Sequence, residues 1–471
     1  MGIFSFVGTM IKARPVDRLT PEKIMRRADK RLKKLVKLAK ERAPFYAKLY
    51  SHIDVEDFRI TDLPPTTKEM LMENFQDTLT VDDVDFNEVK AFVEDPSRIG
   101  ELYKNRYVLV HTSGTTGIKG YFVYSKNSWA MVQALYLLRS KWETRFFPDI
   151  ITRLFNPIRY AMVIPLGGHY ATLLAERVSP SRLKNVYYKI KLLSILDPID
   201  KVIAELNEFQ PEMLHGYPTY MEKLAYEKIK GNLDISPEFV SVASETLTDQ
   251  ARALLEKAFG VKIANYYGTT ECVEIAYQCP YGKMHLHQDW VFLEPVDEDD
   301  NPVPPGTESH HVLVTNLYNT VQPIIRYRLD DVVVWEKDQR CECGSPLPVI
   351  RVIGRAYDNF WVKDKFGQYT SFAPIGLQVI LIEVDGLRAF QMVQEERNRI
   401  HMLYVAEDGA EPKRVESQIR EKLDRYFVEQ NLDGCIELDL EQVHEIPRDP
   451  VSGKVKLFYS KVGVPDEVLK A

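Results

Sequence analysis

The stretch His111-Thr-Ser-Gly-Thr-Thr-Gly-Ile-Lys-Gly-Tyr-Phe122 sets three glycines, three threonines, a serine and a lysine between two apolar runs. Those runs, Tyr107-Val-Leu-Val and Tyr121-Phe-Val-Tyr, read as short strands rich in β-branched and aromatic residues. Gly114, Gly117 and Gly120 let the backbone bend until its N–H groups converge. Thr112, Ser113, Thr115 and Thr116 add hydroxyl donors, and Lys119 stands at the loop's edge. Together they have the chemistry of an anion cradle. A Walker loop is excluded, because that motif places Ser or Thr after its lysine and runs into a helix. Here Gly120 follows Lys119 and the chain goes on into a strand. A plain polar hairpin turn is the other reading, but a turn does not require so many hydroxyls.

The rest of the chain gives that loop a setting. At 471 residues the polypeptide exceeds one ordinary core, so two or three domains are expected. A composition of 45% hydrophobic and 27% charged residues is globular. The net charge of −7 gives no general reason to expect nucleic-acid binding. No apolar run reaches the length of a membrane span. The segment Met1 to Gly8 has no basic leader, and Phe6 stands where a myristoylation motif needs Ser or Thr. These features predict a cytoplasmic protein. Five cysteines in so long a chain argue against a disulfide framework.

From about residue 130 onward helical and strand patterns alternate, as in layered α/β folds. Residues 128–145 are predicted as a helix, 239–244 as a buried strand, 248–259 as a helix ending at Gly260, and 261–267 as the next strand. The last three make one βαβ unit, whose strand C-termini are where α/β proteins bind ligands. Residues 297–306 are acidic and proline-rich, in the manner of a turn. The pattern changes after Gly354-Arg355, and an amphipathic helix falls near 414–428. We therefore expect a large layered α/β N-terminal domain, residues 1–355, and a small α+β C-terminal domain, residues 356–471. Near the start, a helix beginning at Thr20-Pro21 puts Ile24, Ala28, Leu32, Leu35, Val36 and Ala39 on one face. Residues 20–42 carry ten Lys/Arg against three Asp/Glu. That face either docks on anionic lipid or an acidic carrier protein, or is simply solvated, the commoner arrangement. Pairing of two copies is a further expectation that no sequence feature locates.

With these elements in place, T-S-G-T-T-G-x-x-K-G resembles the phosphate loop of the adenylate-forming superfamily, in its phenylacetate–CoA ligase-like variant. Further motifs follow in the family's order, over roughly residues 42–456. Ser244-Glu245 is similar to the adenine-side segment. Tyr266-Tyr267-Gly268-Thr269-Thr270-Glu271 matches Y-G-x-T-E, which implies an aromatic stacked on adenine and a threonine hydroxyl on the α-phosphate. Glu271 would then be the Mg²⁺ ligand. Arg326-Tyr327-Arg328-Leu329-Asp330-Asp331 resembles R-Y-R-x-G-D, which implies that Asp331 binds the ribose hydroxyls. Asp330 replaces the family's glycine. Gly354-Arg355 resembles the hinge motif G-R-x-D-D, with Arg355 on the ribose or phosphate side. Tyr357 replaces the first hinge aspartate, and Asp358 keeps the second. Pro447 to Lys454 resembles the C-terminal G-K motif, so Lys454 would neutralise charge as carboxylate and α-phosphate meet, with Lys456 as a substitute.

Cys279-x5-His285 and Cys341-x-Cys343 flank the ribose motif. Four soft ligands near turns can close a tetrahedral Cys3His zinc site, with His287 as an alternative ligand. Spacing alone leaves buried free thiols equally open, whereas the family resemblance implies a structural zinc. Cys272 reads as a small pocket-lining residue. Pro165 to Tyr170, with His169 and Tyr170, resembles the family's glycine-rich turn near the acyl site, and Leu214 to Tyr220, with Tyr217, resembles the segment lining it. Either histidine can instead be a satisfied structural residue.

The resemblance implies an ATP- and Mg²⁺-dependent ligase that adenylates a small-molecule carboxylic acid, aryl or acyl, and passes it to coenzyme A. One alternative is transfer to an amine or a carrier-protein thiol. Another, from a different class, is a degenerate nucleotide-binding scaffold, which the altered positions Asp330 and Tyr357 favour and Glu271, Asp331 and Lys454 oppose.

Overall fold

The computed structural model describes residues 3–13, 16–112, 119–139, 142, 156–178, 187–353, 360–372, 374–381, 383–407, 409–447, 457–463 and 465. Strands β1 (Tyr107–His111) and β2 (Tyr121–Ser125) pair antiparallel, Tyr107 opposite Ser125 and His111 opposite Tyr121. The glycine-rich stretch therefore joins two paired strands, as its flanks predict. Its residues Ser113, Gly114, Thr115, Thr116 and Gly117 lie outside the described residues. The helix after β2 runs Lys126–Arg139, two residues earlier at its start than the pattern predicts, because Ser125 and Ser128 already bond side chain to side chain at 2.8 Å.

Among the described residues the main sheet has nine strands. Its parallel part holds β3 (Ile158–Ile164), β4 (Tyr188–Ser194), β5 (Met213–Gly216), β6 (Phe239–Val242) and β7 (Ile263–Tyr267). They lie in the order β4-β3-β5-β6-β7. The expected βαβ unit is present as β6, the helix Asp249–Phe259 and β7. The Thr248 hydroxyl caps that helix by accepting from Ala251 N–H, and Gly260 closes it at φ +72°. Only glycine takes that left-handed conformation without strain. Each strand is two residues shorter than predicted: β6 ends at Val242, before the sharp turn at Ser244 (φ +74°), and β7 begins at Ile263.

An antiparallel part continues from β7 through β8 (Ala276–Gln278) and β9 (Met284–Leu286). A separate three-stranded sheet, β10 (Val291–Val296), β11 (His311–Asn316) and β12 (Ile324–Leu329), packs beside it. The acidic residues 297–306 lie in the connection between β10 and β11, as predicted. Strands β13 (Val333–Trp335) and β14 (Val349–Val352) complete the main sheet, with Val349 opposite His285.

The helix Pro21–Arg42 buries the six residues its periodicity selects, Ile24 to Ala39. Burying each large aliphatic side chain there stabilises the fold by about 1.5–3 kcal/mol. Arg31 leaves the solvated face to lie over the Trp290 ring at 3.4 Å and to pair with Asp289. Beyond residue 359 a second core forms around Phe360, Phe372, Phe390, Met402, Leu423 and Phe458. It is built on β15 (Phe360–Lys363), β16 (Tyr369–Phe372), β17 (Leu387–Glu396), β18 (Arg399–Ala406), β19 (Glu437–Gln442) and β20 (Phe458–Ser460). The predicted amphipathic helix is Pro412–Glu429. The two cores meet where Lys223 donates to the Gln430 side chain at 3.1 Å and Tyr226 meets Trp361 edge to face at 4.8 Å. The expected boundary near 355 falls among residues outside the described ones.

Candidate active site

Strand β7 ends in the turn Gly268-Thr269-Thr270-Glu271. Thr269 N–H donates to Cys272 O at 3.0 Å and Cys272 N–H donates back to Thr269 O at 3.2 Å. The turn closes tightly enough that a Cβ on Gly268 would lie 1.8 Å from Val273 O, so glycine is required there. Three tethers then hold its tip. The Tyr124 hydroxyl donates to Thr270 O at 2.8 Å, and the Asn316 amide donates to Glu271 O at 3.0 Å. The Tyr327 hydroxyl donates to Glu271 Oε1, also at 3.0 Å. Glu271 is buried, yet its carboxylate sits on an irregular turn at the end of a strand, where α/β proteins present functional groups.

The two tyrosines of β7 part company, as successive strand residues must. Tyr266 enters the core beside Tyr136, with ring centroids 4.8 Å apart. Tyr267, half-buried, points the other way and donates its hydroxyl to Asp331 Oδ2 at 3.0 Å. The predicted metal-side and ribose-side carboxylates, Glu271 and Asp331, are thus each held by a tyrosine hydroxyl. Arg326, buried at φ +46°, is pinned by Glu294 at 3.2 Å and accepts through its carbonyl from Thr66 N–H at 2.9 Å. Asp330 is exposed beside this frame, so the change from glycine meets no crowded wall.

At the hairpin neck, Thr112 N–H donates to Gly120 O at 2.9 Å, and Gly120 N–H donates to the Thr112 hydroxyl oxygen at 2.8 Å. The Thr112 hydroxyl keeps its own proton for another acceptor. Lys119 is half-buried, and burial lowers its pKa while Glu94 opposes the shift. His111 beneath the neck is lowered to about 3, first by burial and then by the Lys119 cation, and its Nδ1 lies 2.9 Å from Thr112 O.

A second group gathers at the ends of β5 and β6. Tyr217 is buried, which raises its pKa, and the nearby Ser244 and Thr172 hydroxyls oppose that rise. Glu245 Oε2 accepts from Thr219 N–H at 3.0 Å and from the Thr219 hydroxyl at 2.8 Å. Its other oxygen is enclosed without a partner among the described residues, and burial raises this carboxyl to about 7. Tyr170 stands 5.0 Å from the His111 ring. His169 is instead buried under β1, its Nδ1 3.1 Å from Val93 O and its ring 5.5 Å from Phe92. His215 bonds Ser241 at 2.9 Å within the sheet. Both histidines thus sit in structural surroundings.

The four predicted zinc ligands come together. One ligand atom from each of Cys279, His285, Cys341 and Cys343 lies within 4.8 Å of the others. Cys279 Sγ is 3.6 Å from Cys341 Sγ, and Cys343 Sγ is 3.3 Å from His285 Nε2. These are the edge lengths of a tetrahedron with metal–sulfur bonds of about 2.3 Å and a metal–nitrogen bond of about 2.0 Å. His285 Nδ1 lies 3.0 Å from Leu347 O, the backbone contact that orients a ligating imidazole. His287 is excluded from the cluster, lying buried 3.8 Å from Glu274. Cys272 lies in the core against the Tyr318 hydroxyl at 3.4 Å rather than at a pocket wall.

Arg355 and Lys454, like the loop residues 113–117, lie outside the described residues. Sequence reasoning missed Tyr124, Asn316 and the tethering role of Tyr327. Tyr327 stands in the middle of the ribose motif, where only its spacing was read.

Comparison with known proteins bears on this geometry. No family model matches the chain. It is 27% identical over 361 residues to the phenylacetate–coenzyme A ligase of Thermus thermophilus, covering 73% of each chain. The Escherichia coli enzyme of the same name is 24% identical over 344 residues, covering 69% of this chain and 70% of that protein. By these matches the chain is similar to phenylacetate–CoA ligases over more than two thirds of its length. Protein CapK of Staphylococcus aureus is 25% identical over 264 residues, a match that spans only 55% of that protein's length. The structure of a 2-hydroxyisobutyryl-CoA ligase in complex with 2-HIB-AMP and CoA superposes with a TM-score of 0.60 at 17% identity. That match covers 94% of this chain and 90% of the other, so the two share one α/β fold over nearly the whole chain. No described helix is long and apolar enough to cross a membrane.

Proposed function

We propose that this protein is an AMP-forming acid–thiol ligase. A carboxylic acid attacks the α-phosphate of ATP and releases pyrophosphate, and the thiol of coenzyme A then displaces AMP from the acyl-adenylate. The observation that carries this reading is the pair of carboxylates, Glu271 and Asp331, each held by a tyrosine hydroxyl at the mouth of the main sheet. Asp331 is suited to accept the ribose hydroxyls. Glu271 would hold Mg²⁺, which when bound screens the charge of the phosphates. No side-chain nucleophile is needed, so the chain's task is positioning and charge neutralisation.

The remaining assignments rest on motif resemblance. Thr112 to Gly117 and Lys119 would bind the phosphates, with Thr269 and Thr270 beside them. Ser244 and Glu245 would face the adenine side, Arg355 the ribose or phosphate, and Lys454 the meeting carboxylate and α-phosphate. Tyr170 and Tyr217 would line the acyl pocket. Residues 1–355 would bind nucleotide and acid, and 356–471 would form a mobile unit bringing in Lys454. Zinc at Cys279, His285, Cys341 and Cys343 would be structural, since four protein ligands leave no open position. The chain would work in the cytoplasm, where ATP and coenzyme A are at hand.

The basic face of Pro21–Arg42 supports one second reading, in which an acidic carrier protein supplies the thiol. Lys23, Arg26, Arg27, Lys30 and Lys34 on that face are exposed. A pyrophosphate-release screen over aryl, short-chain and fatty acids tests the first half-reaction. AMP release with coenzyme A, a carrier protein or an amine separates the acceptors. ATP binding with no acid-dependent pyrophosphate release would leave a nucleotide-binding scaffold instead.

A further inference from the structure

Glu271 is tied to three different strands: its own carbonyl to Asn316 on β11, the preceding carbonyl to Tyr124 on β2, and its carboxylate to Tyr327 on β12. The first two ties fix where the residue sits. Only the third touches the group that does chemistry. Tyr327 is itself tightly placed: it is 1% exposed and meets the Phe122 ring edge-on at 6.3 Å. Its backbone neighbours bracket Thr66, with Thr66 N–H donating to Arg326 O and Arg328 N–H donating to Thr66 O, both at 2.9 Å. The residue before it, Arg326, is held at φ +46°, a conformation that costs a non-glycine residue about 1–3 kcal/mol. The Glu294 ion pair at 3.2 Å and the bond from Arg326 N–H to the Thr315 hydroxyl at 2.9 Å hold that backbone in place. The strain is stored directly beside the tyrosine whose hydroxyl it aims.

We propose that Tyr327 is a positioning residue that selects which oxygen of Glu271 meets the divalent cation of the nucleotide complex. By occupying Oε1 it locks the carboxylate rotamer and leaves Oε2, which has no hydrogen-bond partner among the described residues, as the presented oxygen. This rests on the reading of Glu271 given above. It makes the carboxylate a one-oxygen ligand whose orientation is set before nucleotide arrives, so no rotamer has to be ordered on binding.

The test uses the full-length protein with ATP and Mn²⁺, whose binding is followed by electron paramagnetic resonance. Tyr327→Phe keeps the ring packed on Phe122 and removes only the hydroxyl. It should weaken Mn²⁺ binding about 10-fold and raise the Mg²⁺ needed for half-maximal pyrophosphate release by a similar factor, with the KM for the acid unchanged. With ATP held at saturation for each variant, Tyr267→Phe, which removes a comparable hydroxyl from Asp331, should leave the Mn²⁺ affinity of the ATP-bound protein at the wild-type value and so controls for general loosening. Wild-type Mn²⁺ affinity in Tyr327→Phe, alongside a loss in Glu271→Gln, overturns the positioning role and leaves Glu271 as the ligand. Unchanged affinity in both variants overturns the Glu271 assignment as well. Equal weakening in Tyr327→Phe and Tyr267→Phe also counts against the proposal.

Discussion

The two ends of the three-residue strand β8 lead to opposite kinds of chemistry. Before it comes Glu271, a carboxylate braced by a tyrosine hydroxyl. After it comes Cys279, a thiol gathered with three other soft ligands. At the Glu271 end a single carboxylate oxygen is bound by the Tyr327 hydroxyl and the other has no hydrogen-bond partner among the described residues. At the Cys279 end four protein atoms converge, and nothing else is needed to close a metal's coordination. Burial pushes the Cys343 thiol up to about 12, so without a cation this thiol stays protonated, and metal binding there must release its proton. Under the proposed function, the first end would exchange ligands and the second would keep one.

The largest effect should come from opening the closed end. The double variant Cys341→Ser, Cys343→Ser should lose a full equivalent of zinc by elemental analysis and melt on the order of 5 °C or more below wild type. Wild-type protein purified without zinc would break the comparison at once. The open end should behave in the reverse way. Glu271→Gln keeps its shape and should melt like wild type, yet lose about 10²–10³-fold in acid-dependent pyrophosphate release. A melting loss as large as that of the thiol variant would make Glu271 a structural residue.

A third probe concerns Glu245, whose carboxyl burial raises from the ordinary 4.5 to about 7. Between those pH values the folded chain keeps a proton the unfolded chain has lost. The stability this group contributes is therefore fully present below pH 4.5 and is lost as pH rises through 7. Urea melts at pH 5 and pH 8 should show a wild-type loss on the order of 2–3 kcal/mol that Glu245→Gln largely removes. An identical pH profile in both proteins would mean the carboxyl is solvated. The smallest effect belongs to Tyr267→Phe, which removes one hydrogen bond to Asp331. A rise of about 5-fold in the KM for ATP, near 1 kcal/mol, with unchanged zinc content, would confine this residue to the open end.

Much of this arrangement was readable before any fold was known. The six buried positions of Pro21–Arg42 follow from helical period, and the capped helix Asp249–Phe259 follows from Thr248 and Gly260. The Cys3His cluster was legible as a set of residue types, with His285 as its imidazole and His287 as the alternative. Pairing of His285 with Val349 brings one imidazole to the Cys341–Cys343 loop, and His287 falls instead beside Glu274. Tyr266 and Tyr267 were likewise indistinguishable as aromatics until the strand's alternation sent one into the core and the other to Asp331.

What the sequence by itself determined was the local chemistry: the glycine-rich loop between strands, the order of carboxylates after it, and the four soft ligands. These are contiguous or near-contiguous patterns, and short-range sterics and hydrogen bonding suffice to specify them. Only the tertiary structure decided which side chain holds which. The Tyr327 hydroxyl reaches Glu271 across 56 positions, and the Tyr124 hydroxyl reaches Thr270 across 146. Those pairings depend on strand register and sheet packing, set by long-range burial of apolar surface rather than by any local pattern.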